Sequence, residues 1–246
     1  MRVQLSVVAA SLAAAAVLTF PPAAFALSDL VINVDCAGGN RIADALSRPN
    51  VLDRRMIIVV NGTCTENVTI ERDDVTLKAG ASGGGVSAAV TTRPAIAING
   101  ARRIALESLS VTGGLHGVHA TNGAAVAIRG GSVRNAARNG VFAFQNSTAA
   151  IDACTIENHG ENGIAVVNAS SASLTGSVVR GNALYGVVLS RAGGAILGNY
   201  DAAGNVCCGN TIENNVFDGV LAADASSVHL YGNTIQANGT SNGRWG

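Results

Sequence analysis

The sequence predicts an all-β fold, a right-handed parallel β-helix whose coils of about 23 residues each carry three short strands, with a short helix before them. The first observation behind this is a glycine followed by a branched apolar residue on a fixed beat. Gly117-Val118, Gly140-Val141, Gly163-Ile164 and Gly186-Val187 stand 23 residues apart, Gly219-Val220 follows after 33 and Gly243 after 24. The second is that other apolar positions keep the same register. The third is composition: 30 of the 246 residues are Gly and only 13% are charged, against about a quarter in an ordinary soluble domain. Such a chain covers its surface with Asn, Ser, Thr and Gly.

In chain order, the first 26 residues read as a secretory signal. Arg2 supplies a positive start, Leu5 to Phe20 is apolar, and Ala24-Phe25-Ala26 fits a small-x-small cleavage site. The mature chain then begins near Leu27 and is expected not to cross a membrane, because no later stretch is apolar enough to span one. Residues 27–56 read as an N-terminal cap. There Asn40 is expected to start a short helix that places Ile42, Ala45 and Leu46 on one face. A helix at that end would cover the open core of a solenoid.

Residues 57–246 read as the coils. Ile57 to Val60, Val68 to Ile70 and Val75 to Leu77 resemble a first one. Strand one of each later coil follows its glycine, at Val118, Val141, Ile164, Val187 and Val220, with alternation on to Ala120, Ala143, Val166, Leu189 and Ala222. Strand two is marked by Ile128, Ile151, Leu174 and Leu230, and strand three by Val133, Ile156, Val179, Ile212 and Ile235. The long repeat places its surplus between strands two and three, around Asn199 to Cys208. The residue five before the glycine is Asn135, Asn158, Gly181, Asn214 and Asn238. Asn and Gly share tolerance of left-handed backbone, so this position reads as a turn requirement. The coil begun at Gly243 stops at Gly246, and an edge left open there calls for a covering partner or for more chain.

Export makes the cysteines disulfide candidates. Cys36 and Cys64 flank the start of the solenoid and are expected to pair. Cys154 is expected to reach Cys207 or Cys208 across two coils. Their spacing matches no zinc site, and neither metal nor cofactor is expected. Sixteen basic and sixteen acidic residues give no electrostatic case for nucleic acid.

The segment Gly62-Thr63-Cys64-Thr65-Glu66-Asn67-Val68-Thr69-Ile70 and the repeats Ile156-Glu157-Asn158 and Ile212-Glu213-Asn214 resemble those of parallel β-helix proteins of the pectin lyase-like superfamily. The resemblance covers about residues 57 to 243. It implies extracellular polysaccharide as ligand class, and it carries over no catalytic set. The superfamily's lyases need clustered acids, whereas the only adjacent acidic pair is Asp73-Asp74; the only lysine is Lys78. Asn158-His159-Gly160 is similar to the Gly-His-Gly element of polygalacturonases but lacks its companions.

Three groups are candidate sites. Arg134, Glu157, Arg180, Glu213 and Gln236 fall on the outer side of strand three with alternating sign, which reads as a register-fixing ladder. His116, His119, Arg138, Asn139, His159 and Glu161 gather where the last turn of a coil meets strand one. His119, His159 and Glu161 are the candidates for acid–base catalysis, and Arg138, His116 and Asn139 for binding a sugar acid. Phe142, Phe144, Val167, Val188 and Leu221 would form an apolar face on strand one. The function expected first is an exported, non-catalytic module that binds polysaccharide or cell-surface glycan in the medium, the periplasm or at the cell surface. A lyase or epimerase, and a structural or adhesive surface protein, are the alternatives.

Overall fold

The computed structural model describes residues 29–49 and 54–239. The expected signal segment at 1–26 and the coil beginning at Gly243 lie outside the described residues. Within them the chain winds as a right-handed parallel β-helix. Strands one form a seven-stranded parallel sheet. Val118, Val141, Ile164, Val187 and Val220 are register partners along it, each buried or half-buried toward the core. Strand two stacks Ile128, Ile151, Leu174 and Leu230, with Leu197 between the last two. Strand three stacks Val133, Ile156, Val179, Ile212 and Ile235.

The first coils are built differently. A strand that the sequence reading missed, β1 (Leu30–Asp35), pairs in parallel with β2 (Met56–Thr65) and adds a rung before the expected first coil. Between them lies α1 (Ile42–Leu46), with Ile42 and Ala45 buried in the core. Arg41, and not Asn40, is its N-cap residue, and no side chain there makes a capping hydrogen bond. The orphan N–H groups of Ile42 and Ala43 instead donate to the two oxygens of Glu66, at 2.7 and 3.2 Å. Glu66 is only 2% exposed. The glycine-to-Ile70 motif therefore joins the helix to the solenoid: Cys64 is bonded to Cys36, and Glu66 holds the helix start. After the short β3 (Val68–Ile70), the 13-residue β4 (Val75–Ser87) runs through both strand two and strand three. Later coils break at this corner, with Ala153 and Gly176 at positive φ.

Each corner also turns backbone N–H groups inward, and a column of polar side chains accepts them. At the first corner Ala124 donates to Ser147 Oγ, Ser147 to Ser170 Oγ and Gly193 to Ser226 Oγ, at 3.1–3.2 Å. At the second, Cys154 donates to Ser177 Oγ, Ser177 to Asn210 Oδ1 and Asn210 to Asn233 Oδ1, at 2.9–3.0 Å. At the third, the acceptors are His159, Asn182, Asn215 and Asn238, each serving the residue one coil before. Buried backbone donors left without such partners would each cost about 1–3 kcal/mol.

This third column explains the repeat glycine, which does not need positive φ. A Cβ built on Gly186 would come 2.9 Å from Asn215 Nδ2 and 2.5 Å from the carbonyl oxygen of Gly219. It also corrects the reading of the asparagines. Asn135, Asn158, Gly181 and Asn214 do adopt positive φ, yet the fifth member is Ala237. Asn238 sits one place further on, inside the ladder.

Outside, strand three carries the expected charge ladder. Arg134, Glu157, Arg180, Glu213 and Gln236 are successive register partners. Arg180 pairs with Glu157 at 2.9 Å and Gln236 donates to Glu213 at 2.9 Å. A second sign-alternating file, unnoticed in the sequence, aligns Lys78, Glu107, Arg129 and Asp152 on strand two.

The surplus of the long coil forms an antiparallel hairpin, Asn199–Tyr200 against Val206–Cys207. This overturns one expected disulfide. Cys207 and Cys208 are bonded to each other, and Cys154 is a buried free thiol. The reason is directional. Cys154 shares the inward corner column of Ser177 and Asn210, whereas Cys207 lies on the outer hairpin and Cys208 directly follows it. Burial also raises the Cys154 thiol pKa.

Two outcomes check this architecture. Ile164→Val should cost about 0.5–1.5 kcal/mol in chemical denaturation, whereas Ile164→Asp should abolish the wild-type melting transition by burying an unpaired charge. A wild-type melting temperature in Ile164→Asp would show that the register is wrong. Non-reducing peptide mapping should recover Cys154 as a thiol that alkylates only after unfolding; recovery of Cys154 joined to Cys207 or Cys208 would contradict the corner geometry.

Candidate functional site

The cluster expected at the junction of the last turn and strand one divides into an inner and an outer part. His159 is 2% exposed. Its Nδ1 accepts the N–H of Ala136 at 3.1 Å, and its Nε2 lies 3.1 Å from the carbonyl oxygen of Val133. Asn238, three positions later in the ladder, makes the same two contacts, accepting from Asn215 and donating to Ile212. His159 is therefore an imidazole doing an asparagine's work, with its proton on Nε2. Burial pushes its pKa down to about 4.

His116 and Asn139 are buried as well, at 4% exposure each. They belong to an inner column just before the repeat glycine. The Asn139 N–H donates to His116 Nδ1 at 3.4 Å, and Asn139 Oδ1 accepts from Asn162 at 2.7 Å. Burial, reinforced by the Arg138 guanidinium and by His119 when it is protonated, depresses the His116 pKa to about 3. Neither residue reaches solvent as a sugar-binding edge requires, and His159 does not offer a free lone pair as a general base requires.

The outer part is His119, Arg138 and Glu161. Arg138 and Glu161, one coil apart, form an exposed ion pair at 2.7 Å. His119 points out of strand one, half-buried, and stacks on Phe142 with ring centroids 5.0 Å apart. Phe142 in turn stacks on Phe144 at 5.4 Å. Burial lowers the His119 pKa, so the ring is neutral at neutral pH. The apolar face of strand one is thus half-covered by its own ring stack.

The sequence reading missed a different feature at the first corner, between strands one and two. An open groove of about 770 Å³ runs along several coils there, lined by Arg102, Asn122, Gln145, Asn146, Asn168 and Arg191. Asn122, Gln145, Asn168 and Arg191 each lie five residues past their repeat glycine, which is the signal that would have found it. The corner keeps left-handed backbone in every coil, as at Gln145, Asn146, Asn168 and Arg191, while its side-chain types change, so no repeated letter marks it. Among the described residues no group of His, Cys, Asp and Glu is placed to hold a metal ion. No described helix is long and apolar enough to cross a membrane.

The inner histidines set a pH dependence. Unfolded histidine takes up a proton below about pH 6.5, whereas His116 and His159 stay neutral in the fold until about pH 3 and 4. The unfolded state binds more protons in this window. Their stabilising contribution is therefore complete above about pH 6.5 and declines as pH falls toward about 4. His159→Asn should keep the ladder, change stability at pH 7 by less than about 1 kcal/mol, and lessen the loss of melting temperature between pH 7 and 4.5. His159→Ala should cost about 1–3 kcal/mol by orphaning the Ala136 N–H. Equal acid sensitivity in wild type and His159→Asn would exclude this role.

Comparison with known proteins agrees with this architecture. The family model described as a right-handed β-helix region matches residues 57–235. A search of curated protein sequences finds no significant match. Among solved structures, the A-module of the mannuronan C-5 epimerase AlgE6 from Azotobacter vinelandii is similar at 16% identity and a TM-score of 0.50, covering 75% of this chain. This chain spans 58% of that module. A pectin methylesterase bound to a hexasaccharide aligns over 81% of this chain and 80% of its own length, at 10% identity and a TM-score of 0.36. An alginate lyase from Paenibacillus sp. str. FPU-7 aligns over 84% of this chain and 99% of its own, at 12% identity and a TM-score of 0.27. The 23-residue coil, its three stacked strands and the match over residues 57–235 make the chain a member of the right-handed β-helix family.

Proposed function

We propose that the protein is an exported module that binds extracellular polysaccharide without transforming it. The observation that carries this reading is the open first-corner groove, long, polar and lined by amide and guanidinium groups. Sugars offer hydroxyls on every ring, and a row of amides matches them with donors and acceptors along the solenoid axis. The engagement of His116 and His159 inside the ladders removes two of the bases that a lyase or epimerase would draw on. A catalytic alternative then falls to His119, whose ring is half-buried in the Phe142 stack, and to the separate Arg138–Glu161 pair. The occurrence of this fold in a mannuronan epimerase is compatible with a polysaccharide partner.

In this reading residues 1–26 direct export, 27–56 close the N-terminal end, and 57–246 form the binding solenoid. The Cys36–Cys64 bond supports an oxidising destination such as the periplasm, the cell surface or the medium.

A glycan array probed with the full chain should give selective binding to extracellular polysaccharides. Incubation of each hit with the protein should leave its chain length and uronate configuration unchanged. Release of unsaturated product, abolished by His119→Ala, would replace this reading with the lyase alternative. Self-association with no glycan bound would favour the structural one.

A further inference from the structure

The two ends of the first-corner groove differ from its middle. Arg102 and Arg191 are both exposed, and neither guanidinium makes an ion pair or side-chain hydrogen bond among the described residues. Most other arginines that line or neighbour a corner are engaged: Arg55 with Asp29, Arg103 with Asp73 and Asp74, Arg138 with Glu161, Arg180 with Glu157. Asp73, the acid nearest Arg102 in the hydrogen-bond network, is held by Arg103 and by the backbone N–H of Arg102. That leaves the Arg102 guanidinium free to lie over Gly123, where an added Cβ would come 3.8 Å from Nη2.

Between the two arginines the lining is neutral and open. Among the described residues Asn146 and Asn168 make no side-chain hydrogen bond, and Gln145 uses only Oε1, which accepts from Thr121 at 2.9 Å. Asn122 is tied through Nδ2 to Asn99 at 2.6 Å, which leaves its own oxygen open. Four coil steps separate the Arg102 turn from Arg191, a span of roughly 19 Å at the usual strand spacing. Asp224 occupies the same corner position one coil beyond Arg191, with the Ala192 N–H donating to its carbonyl oxygen, so the basic lining ends there.

We infer that this groove binds a linear anionic polysaccharide lying parallel to the solenoid axis, with an acidic group of the glycan on Arg102, another on Arg191, and the intervening hydroxyls on Gln145, Asn146 and Asn168. The inference rests on the polysaccharide reading above and adds the charge, the orientation and the contact residues. Unpaired guanidiniums favour carboxylate or sulfate groups, which they bind through paired hydrogen bonds. A single-stranded nucleic acid fits less well, since the groove has no aromatic lining on which bases would stack. Two anchors joined by one chain also act together only when the ligand spans both.

The test measures binding of the full chain to sodium polygalacturonate, dextran sulfate, neutral dextran and single-stranded oligonucleotide by affinity electrophoresis and calorimetry. The expected result is a clear preference for polygalacturonate or dextran sulfate over neutral dextran. Comparing the two acidic polymers tells carboxylate from sulfate. Arg102→Ala and Arg191→Ala should each weaken that binding about ten-fold, with unchanged melting temperature. Arg129→Ala, on the outer file of strand two and outside the groove lining, should leave it unchanged. Size-fractionated oligogalacturonides should gain affinity sharply once they are long enough to reach both arginines. Neutral dextran bound as tightly as the acidic polymers, or binding indifferent to both arginine substitutions, would overturn the inference and leave the polysaccharide reading standing. Preference for the oligonucleotide would overturn it too. No glycan bound by the wild-type chain would overturn both.

Discussion

The constraint on which the molecule depends is the satisfaction of backbone N–H groups at its three corners. Strand pairing serves the flat stretches, but a chain that turns three times per coil aims donors inward where no strand follows. Columns of Ser, Asn and His accept them, each residue serving the coil next to it. Because the acceptors stack at one coil per residue, a shift in any coil would break a contact with its neighbour. The repeat glycine follows from the same arrangement, since a side chain there would strike the ladder amide and the carbonyl of the next coil. The most visible feature of the sequence is thus a space requirement imposed by a feature that is almost invisible in it.

The ladders also sort residues by the work left to them. His159 has both nitrogens committed inside its column, and its burial disfavours the charged form. His159 and His116 are then structural groups that differ from their asparagine neighbours mainly in being sensitive to acid. Chemistry toward solvent falls to what points outward: the ring stack on strand one, the Arg138–Glu161 pair, and the amide-lined first corner. Of these, the first corner combines length with free donors and unpaired positive charge among the described residues.

Departures from regularity are confined to places where the column can be kept. The hairpin at Asn199–Cys207 leaves the coil on its outer side, and Asn210 then returns to the inner column beneath Asn233. The ten-residue surplus therefore costs the ladder nothing, and it carries Cys207 and Cys208 away from the buried Cys154. At the other end, the first coils bridge strands two and three with the continuous β4. Glu66 performs for α1 what the ladder acceptors perform for the coils.

Periodicity alone determined the coil: its length, its three strands, which side chains stack inside, and where the long repeat diverges were all legible from apolar residues at matched positions. A period reports residues that repeat, and core positions repeat because every coil buries the same face. What only the tertiary structure decided is direction. Asn158 and His159 are sequence neighbours, yet one turns out in left-handed backbone and the other turns into the ladder, so a cluster drawn from spacing mixed groups that never meet solvent together. Leu30–Asp35 was illegible as a rung because its partner lies across a helix. The first-corner groove was hidden for the opposite reason: its residues share a position but not a chemistry, and they become one surface only when the coils are stacked.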